Sequence, residues 1–258
     1  MWRLNLTLLL VLGFSLVVPV MAQDGEEDAG SASTEEPSTQ APEEAPAPPP
    51  PPPATEAPAP TAVSAPAATA VPGPGSVVFS DNFDDPSKPN FPVTTRDATE
   101  RSQGYIDGQY EIINGTRSGG EGEGLPGTYS NSTIAIDAKV SGGPDTAGPY
   151  VSCRRANNDN EGYQLSVEPA RQRFRLFRYQ GGGSANVTLV MQNSTAIRGK
   201  DEVNRLELTC AASTITAAIN GTQVTSVQDA TYTTGRHRFG VNGGGAVGRF
   251  DNLVVTLR

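Results

Sequence analysis

Apolar and polar residues alternate with a period of two along most of the chain after residue 76. In the segments 133–140, 163–168, 206–210 and 215–219, every second residue is apolar. Such alternation is typical of β-strands that bury one face and expose the other, and no long segment shows the 3.6-residue period of a helix. The pattern therefore predicts roughly a dozen strands and an all-β fold.

Two dipeptides between alternating segments indicate tight turns. Asp107-Gly108 separates residues 104–106 from 109–113, and Asn220-Gly221 separates 214–219 from 222–227. Asn or Asp followed by Gly favours the positive φ angles of a type I′ turn, so each dipeptide predicts a β-hairpin. Strands at these intervals are typical of a two-sheet antiparallel sandwich, formed here by one domain of residues 76–258.

The first 22 residues have the three-part pattern of a secretory signal peptide. Arg3 precedes an apolar run from Leu4 to Val20, and the predicted cleavage site follows Ala22. An uncleaved signal anchor is the alternative, since the run is only slightly shorter than a membrane span. In both cases the rest of the chain is predicted to be extracellular or at the cell surface, with membrane contact only through the anchor.

Residues 23–75 have the composition of a disordered linker. They hold 14 of the 22 prolines and nine of the 28 acidic residues, with no Lys, Arg or aromatic residue. Such a segment buries too little apolar surface to offset the entropy of ordering, and Pro48–Pro53 imposes polyproline II. We expect a spacer; a proline-recognition ligand or an O-glycosylated stalk are alternatives.

The charge of the chain is unevenly divided. The formal net charge is −9, but the 19 acidic and 18 basic residues of 76–258 nearly cancel. The excess negative charge therefore belongs to the linker. No basic surface indicates a nucleic-acid partner.

Cys153 and Cys210 are the two cysteines of the chain. Each lies on the apolar side of its alternating segment, and an even number in an exported domain predicts one disulfide bond. Two buried free thiols are the alternative. A zinc site is disfavoured, because two cysteines and the single histidine, His237, do not complete one.

Seven short segments, in this order, resemble the bacterial concanavalin A-like lectin/glucanase modules, which include laminin-G-like and family-16-type jelly rolls. The segments are Phe79–Pro86, Gly104–Ile112, Val151–Arg155, Gly162–Leu165, Asn204–Cys210, Ile219–Val224 and Phe250–Val255. The resemblance covers residues 76–258 and implies a jelly roll of two antiparallel sheets that recognises carbohydrate, such as a cell-surface or extracellular polysaccharide. Because a fold does not carry its function with it, the site needs its own argument.

No catalytic residues are predicted. Family-16 glucanases carry two carboxylates on one strand, about 5 Å apart. Glu121 and Glu123 come closest to that pattern, but they lie between glycines in a segment that is interpreted as a flexible loop. His237 has no nucleophile elbow near it in sequence. The sequence therefore predicts a protein without enzymatic activity.

One strand face is predicted to bind the ligand. In segment 171–179, Arg173, Arg175 and Tyr179 have the parity opposite to the apolar residues, and Tyr150 and Arg154 have the parity opposite to Cys153. Arginine and tyrosine side chains on one sheet face would bind sugar hydroxyls, carboxylates or sulfates. The alternative is an ordinary solvated sheet face.

A structural calcium ion is a further expectation. In folds of this kind an ion often bridges the first and last strands, and Asp81, with Asp84 or Asp85, and Asp251 would supply oxygen ligands. Ordinary turn and capping roles for these residues are the alternative.

The sequence favours a secreted or cell-surface, non-catalytic carbohydrate-binding module on a proline-rich stalk. A structural or protein-interaction sandwich without a sugar ligand is the first alternative, and a glycoside hydrolase is the second.

Overall fold

The computed structural model describes residues 72–94, 101–115, 119–181 and 186–258. The signal peptide predicted for residues 1–22 and nearly all of the linker predicted for residues 23–75 lie outside the described residues. In the part of the chain that is described, no helix has the length and apolar character needed to cross a membrane.

The described residues form fourteen strands and one short 3₁₀ turn (Pro169–Arg171). The strands are β1 (Val77–Asp81), β2 (Arg101–Ile106), β3 (Gln109–Asn114), β4 (Gly120–Gly124), β5 (Ser132–Gly142), β6 (Gly148–Arg155), β7 (Glu161–Glu168), β8 (Arg173–Gln180), β9 (Val187–Asn193), β10 (Asn204–Ala211), β11 (Thr214–Ile219), β12 (Thr222–Gln228), β13 (Arg236–Asn242) and β14 (Ala246–Leu257).

The strands form two antiparallel sheets. The eight-stranded sheet has the order β12-β11-β10-β5-β14-β3-β2, with β1 also paired to β14. The six-stranded sheet has the order β4-β13-β6-β7-β8-β9. The predicted two-sheet antiparallel sandwich is confirmed.

The core lies between the two sheets and follows the alternation of the sequence. Ile134 and Ile136 of β5 and Leu165 of β7 are fully buried, as the period of two predicts. Each such side chain contributes roughly 1.5–3 kcal/mol to the free energy of unfolding. Phe91 and Phe239 pack edge to face at one end of the core, with ring centroids 5.1 Å apart.

Both predicted hairpins are confirmed. Asp107 and Gly108 have φ angles of 50° and 70° between β2 and β3, and Asn220 and Gly221 have φ angles of 51° and 77° between β11 and β12. Two successive positive φ angles are the mark of a type I′ turn.

The predicted disulfide joins Cys153 and Cys210, whose Cα atoms are 6.5 Å apart. Cys153 is on β6 and Cys210 is on β10, so the bond links the two sheets through the core. A crosslink over 57 residues stabilises the fold by roughly 4 kcal/mol on the chain-entropy model.

The first and last strands are neighbours. β1 pairs with β14, and the Gly75 N–H donates to the Leu257 carbonyl at 2.9 Å. The Leu257 N–H in turn donates to the Ser76 carbonyl at 3.0 Å. The two ends of the described domain therefore lie side by side.

Gly120–Gly124, most of the glycine-rich segment, is a strand, which corrects the expectation of a flexible loop. Gly120, Gly122 and Gly124 alternate with Glu121 and Glu123 in β4, which pairs with β13. Glycine within a strand marks a close approach of other atoms. At Gly120 and Gly122, which made this segment resemble a loop, neighbouring atoms leave no room for a side chain.

Candidate functional site

The outer face of the six-stranded sheet is lined by polar side chains that are shielded from bulk solvent. Every residue of β6 is buried, and β7 is buried along nearly all of its length. On the outer face, Ser152 is fully buried and Gln164 is 2% exposed. A flat outer face would leave its polar residues half in water. The burial therefore identifies this face as the inside of a groove.

One row of residues crosses five strands at the centre of the groove. Gly122 pairs with Gly240, Gly240 with Tyr150, Tyr150 with Ser166, and Ser166 with Arg175. Side chains of cross-strand partners lie on the same face of a sheet. The row thus begins with two glycines, which have no side chain, and ends with the long cationic side chain of Arg175.

The two glycines make room for the side chain of Tyr150. A Cβ atom on Gly240 would lie 2.6 Å from the Tyr150 hydroxyl oxygen, and one on Gly122 would overlap the same oxygen. The same Cβ atoms would overlap backbone oxygens, that of Glu121 for Gly240 and that of Phe239 for Gly122. A larger residue at either position would therefore displace the tyrosine and also push β4 and β13 apart. The glycines of β4 and β13 are therefore part of the geometry of the site.

The hydroxyl group of Tyr150 is presented to the groove. Tyr150 is 6% exposed and lines a cavity of about 270 Å³. Burial raises the pKa of Tyr150 to about 12, so the phenol is neutral and both donates and accepts hydrogen bonds. Within the described residues its hydroxyl has no hydrogen-bond partner, which leaves it for a ligand.

A hydrogen-bond network centred on Gln164 fixes the neighbouring polar groups. The Ser152 and Tyr179 hydroxyls donate to Gln164 Oε1 at 3.1 and 3.0 Å. Gln164 Nε2 and Asn242 Nδ2 donate to the Ser166 hydroxyl oxygen at 2.9 and 3.0 Å. Buried polar networks of this kind are rigid when their members are paired. Tyr179 and Asn242 are consequently held in place before any ligand arrives.

A β-bulge in β6 decides which arginine faces the groove. Arg236 of β13 opposes Arg155, whereas Arg238 opposes Ser152, so β6 carries one extra residue in this interval. Arg154 lies at the bulge with a φ of 53°. An extra residue reverses the face on which the following side chains lie. Arg155 therefore lies on the groove side, with Ser152.

The bulge corrects the predicted position of Arg154. This residue is 2% exposed, and its guanidinium donates to three backbone carbonyls outside the groove. Arg154 Nη2 donates to Ser130 at 2.7 Å, and Nη1 donates to Ala212 and Tyr232 at 2.9 Å each. Arg154 thus links three connecting segments of the chain by hydrogen bonds. The alternation of faces that predicted an outward side chain for Arg154 is interrupted by the bulge.

Arg155 takes the place predicted for Arg154. Its guanidinium carbon lies 3.6 Å from the centroid of the Tyr179 ring, and Nη2 donates to the Asp159 carbonyl. Its Nε and Nη1 atoms are buried and have no hydrogen-bond partner within the described residues. Burial lowers the pKa of Arg155, because the charged form loses its hydration.

Of the two arginines predicted on β8, the structure brings one into the groove. Arg175 lines the cavity with Tyr150 and Tyr179, and its guanidinium carbon lies 4.4 Å from the Phe177 ring centroid. Arg173 instead donates to Glu168 from Nε and Nη2, at 3.0 and 2.7 Å. Arg173 is therefore occupied by an ion pair beside the groove.

Two residues of β13 that were not among the predicted site residues complete the groove. Arg238 donates to the Gly122 carbonyl at 2.6 Å and forms an ion pair with Asp159, while Asn242 lines the same cavity. Both alternate with the buried apolar residues Phe239 and Val241. The same alternation that was applied to β8 would have placed them on the outer face.

The acidic residues predicted to bind calcium all accept hydrogen bonds from other groups of the chain. Both oxygens of Asp81 accept hydrogen bonds, from the Phe83 N–H at 2.7 Å and from Asn90 Nδ2 at 2.9 Å. Asp251 accepts from the Asn252 N–H at 2.7 Å and lines a different cavity from Asp81. Among the described residues, no group of three or more Asp, Glu, His or Cys side chains is arranged to hold a metal ion. The arrangement does not fit a shared calcium site.

Glu121 and Glu123 lie on the inner side of β4, away from the groove. Both carboxylates lie near Arg101 of β2, with N–O distances of 3.1 and 3.6 Å. Burial raises the pKa of Glu123. The pair therefore connects the edges of the two sheets.

His237 is fully buried between the sheets. Its Nδ1 donates to the Ser152 carbonyl at 3.1 Å, because a carbonyl only accepts, and its Nε2 then accepts from the Ser132 hydroxyl at 2.9 Å. Burial lowers the pKa of His237 to about 4. Both ring nitrogens are used in holding β13 against β5 and β6.

No protein-family model matches the sequence, and no curated protein matches it. Solved structures share its fold at low sequence identity. A Bacillus subtilis protein of unknown function with a galectin-like fold is 12% identical, with a TM-score of 0.53 over 72% of this chain and 97% of that one.

Two further structures belong to carbohydrate-active proteins. One, described with endo-acting O-glycanases of the human gut microbiota, is 12% identical, with a TM-score of 0.51 over 71% of this chain and all of that one. The other, the GH43 protein BlXynB from Bacillus licheniformis, is 11% identical, with a TM-score of 0.51 over 69% of this chain and 39% of that one. These likenesses show the fold, a concanavalin A-like jelly-roll sandwich, and do not identify a particular lectin family.

Proposed function

We propose that the chain is an exported, non-catalytic carbohydrate-binding protein whose ligand lies in the groove on the outer face of the six-stranded sheet. The observation that carries the proposal is the row of rigid polar groups across the groove floor. The Tyr150 hydroxyl faces the cavity without a protein partner, and the network around Gln164 holds Tyr179 and Asn242. Fixed donors and acceptors in a concave, partly aromatic site suit a ligand rich in hydroxyl groups.

The chemistry of the cavity supports binding without hydrolysis. Glycoside hydrolysis in most families needs two carboxyl groups flanking the scissile bond. None of the described residues that line the cavity of about 270 Å³ is acidic, and Glu121 and Glu123 lie on the inner side of β4. The fold shared with carbohydrate-active proteins supports the ligand class by analogy only.

A glycan array probed with the full-length protein tests the proposal. Tyr150→Phe deletes one hydroxyl and should weaken binding of any retained glycan by up to about tenfold, because a net hydrogen bond contributes about 1 kcal/mol. Tyr129→Phe is the matched control, since the Tyr129 hydroxyl donates to the Pro126 carbonyl at 2.8 Å and lies outside the groove.

Failure of every glycan to bind would reject the proposal in favour of a structural or protein-interaction role. Equal binding by the two tyrosine variants would place the ligand elsewhere. Release of reducing sugar from a bound glycan would show an enzyme instead of a binding protein.

A further inference from the structure

We infer that the ligand of this groove is an anionic carbohydrate, whose carboxylate or sulfate group is bound by Arg155 and Arg175. This inference rests on the proposed function and names the class of sugar. It follows from an excess of cationic groups at the groove floor and from buried guanidinium donors without acceptors.

The charge of the groove is one-sided. Three arginines, Arg155, Arg175 and Arg238, line the cavity, and no acidic residue lines it among the described residues. Asp159 forms an ion pair with Arg238 only, since Arg155 reaches the backbone carbonyl of Asp159 and not its carboxylate. The three arginines and Asp159 together therefore leave a net of two positive charges around this cavity among the described residues.

Arg155 is the more constrained of the two cations. It is 5% exposed, and its Nε and Nη1 atoms are buried without acceptors in the described part of the chain. A buried charged donor without a partner is costly, and an acceptor oxygen of a ligand would remove that cost. Stacking on the Tyr179 ring at 3.6 Å holds the guanidinium in place, which reduces the entropy lost on binding.

Arg175 is the more accessible cation. It makes no hydrogen bond or ion pair within the described residues, and its contact is with the Phe177 ring at 4.4 Å. It lines both the cavity of about 270 Å³ and an adjoining one of about 350 Å³, which includes Ser166 and also Glu168, whose carboxylate is paired with Arg173. Its donors are therefore available across the centre of the groove.

Guanidinium groups discriminate between anionic and neutral sugars. They only donate, and the planar arrangement of their N–H groups matches two oxygens of a carboxylate or sulfate. Hydroxyl groups of a neutral sugar would accept single hydrogen bonds but would leave the two charges uncompensated in a shielded groove. An anionic group satisfies both the charge and the unpaired donors.

The test is calorimetric titration of the full-length protein with two matched pairs of oligosaccharides. The carboxylate pair is oligogalacturonate and its methyl ester, and the sulfate pair is a sulfated galactan oligosaccharide and its desulfated form. We expect the protein to bind the charged member of at least one pair and to bind its neutral counterpart at least tenfold more weakly. Which pair shows the difference identifies the anionic group.

Variants then locate the anion. Arg175→Ala should weaken binding of the charged oligosaccharide roughly 10- to 100-fold, the range for a hydrogen bond to a charged group, and Arg175→Lys should recover only part of it. Arg173→Ala removes the same charge from the same strand but from a residue paired with Glu168, so it should change binding by less than about twofold. Arg155→Gln provides a second test at the buried position, while Arg175 carries the test if that variant fails to fold.

The outcomes separate this inference from the proposed function. Groove-dependent binding of charged and neutral members with equal affinity would overturn the anionic ligand and leave the carbohydrate-binding function standing. Equal weakening by Arg175→Ala and Arg173→Ala would show a diffuse charge effect and would also overturn the inference. Absence of binding to every probe, charged or neutral, and to the glycan array would reject both.

Discussion

The outer faces of the two sheets have the same alternating sequence pattern but different surroundings. On β10 of the eight-stranded sheet, the outward residues Arg205, Glu207 and Thr209 are half-exposed. On β6 and β7 of the six-stranded sheet, the outward residues Ser152 and Gln164 are buried. One face is an ordinary solvated surface, and the other is a groove.

The two outer faces also differ in how their arginine side chains are paired. On the eight-stranded sheet, Arg205 pairs with Asp137 at 3.3 Å and donates to the Asn252 carbonyl at 2.7 Å. In the groove, Arg155 and Arg175 have no carboxylate partner among the described residues. The proposed ligand site therefore coincides with the face on which cations lack a carboxylate partner.

The largest effect is expected at the bulge that shapes the groove. Arg154→Ala should lower the free energy of unfolding by roughly 4–5 kcal/mol, because three backbone carbonyls would lose a charged donor and the buried guanidinium would leave a cavity. Arg175→Ala should cost less than about 0.5 kcal/mol, as is usual for a side chain without a protein hydrogen bond. Urea unfolding followed by fluorescence measures both values.

Equal losses in the two arginine variants would contradict the division between a structural Arg154 and a ligand-binding Arg175. Arg154→Lys is a further control, since a single ammonium group at this position replaces only part of the guanidinium hydrogen bonds and should recover part of the stability.

A second prediction concerns the contact between the two sheets at His237. The pKa of His237 is about 4 in the folded protein and about 6.5 when unfolded, so the unfolded state binds the extra proton between these values. Stability should therefore fall as the pH drops from about 6.5 to about 4, by roughly 3 kcal/mol in total. Unfolding measurements at several pH values follow this loss.

His237→Gln separates the histidine from the other titrating groups. The difference in unfolding free energy between this variant and the natural protein should change with pH only within that window. If the two proteins lose stability in parallel, the loss comes from carboxyl groups whose pKa is lowered in the folded state, such as Asp229, which accepts hydrogen bonds from Thr231 and Tyr163. Glu123 acts in the opposite direction, because burial raises its pKa and its protonation in the folded state adds stability as the pH falls.

The smallest effect compares one position on each outer face. Gln164→Ala should cost roughly 1–2 kcal/mol, because it removes the centre of a buried network. Glu207→Ala, at an outward position of β10 with no hydrogen bond or ion pair within the described residues, should stay within about 0.5 kcal/mol. Thermal unfolding of both variants provides the measurement, and a larger loss at Glu207 would reverse the comparison.

Alternation and turn dipeptides were sufficient to predict the sandwich and both hairpins, and the even number of cysteines in a domain expected to be exported predicted the pairing of Cys153 with Cys210. They failed at two places for physical reasons. The bulge at Arg154 shifts the parity of β6 by one residue, and a local insertion leaves no trace in a period of two. The glycines of β4 resembled a loop because their role, making room for Tyr150, depends on a residue of another strand.

The groove on the six-stranded sheet could not be predicted from the sequence either. Polar outward residues occur in both sheets, and nothing in their order distinguishes the buried set on β7 from the half-exposed set on β10. The groove arises from the three-dimensional arrangement of the six strands. Sequence reasoning therefore identified Tyr150, Arg175 and Tyr179 correctly as outward residues without a reason to prefer their sheet.

The pairing of β1 with β14 makes this domain suited to insertion and rearrangement. Since residues 75 and 257 are joined by a backbone hydrogen bond, a short peptide connecting them would close the polypeptide into a ring. New ends opened at the exposed connection of residues 126–128, between β4 and β5, would then give a circular permutant with the same sheets. The same closeness would let the domain be grafted into a surface loop of a host protein, because its entry and exit points occupy the space of a single hairpin.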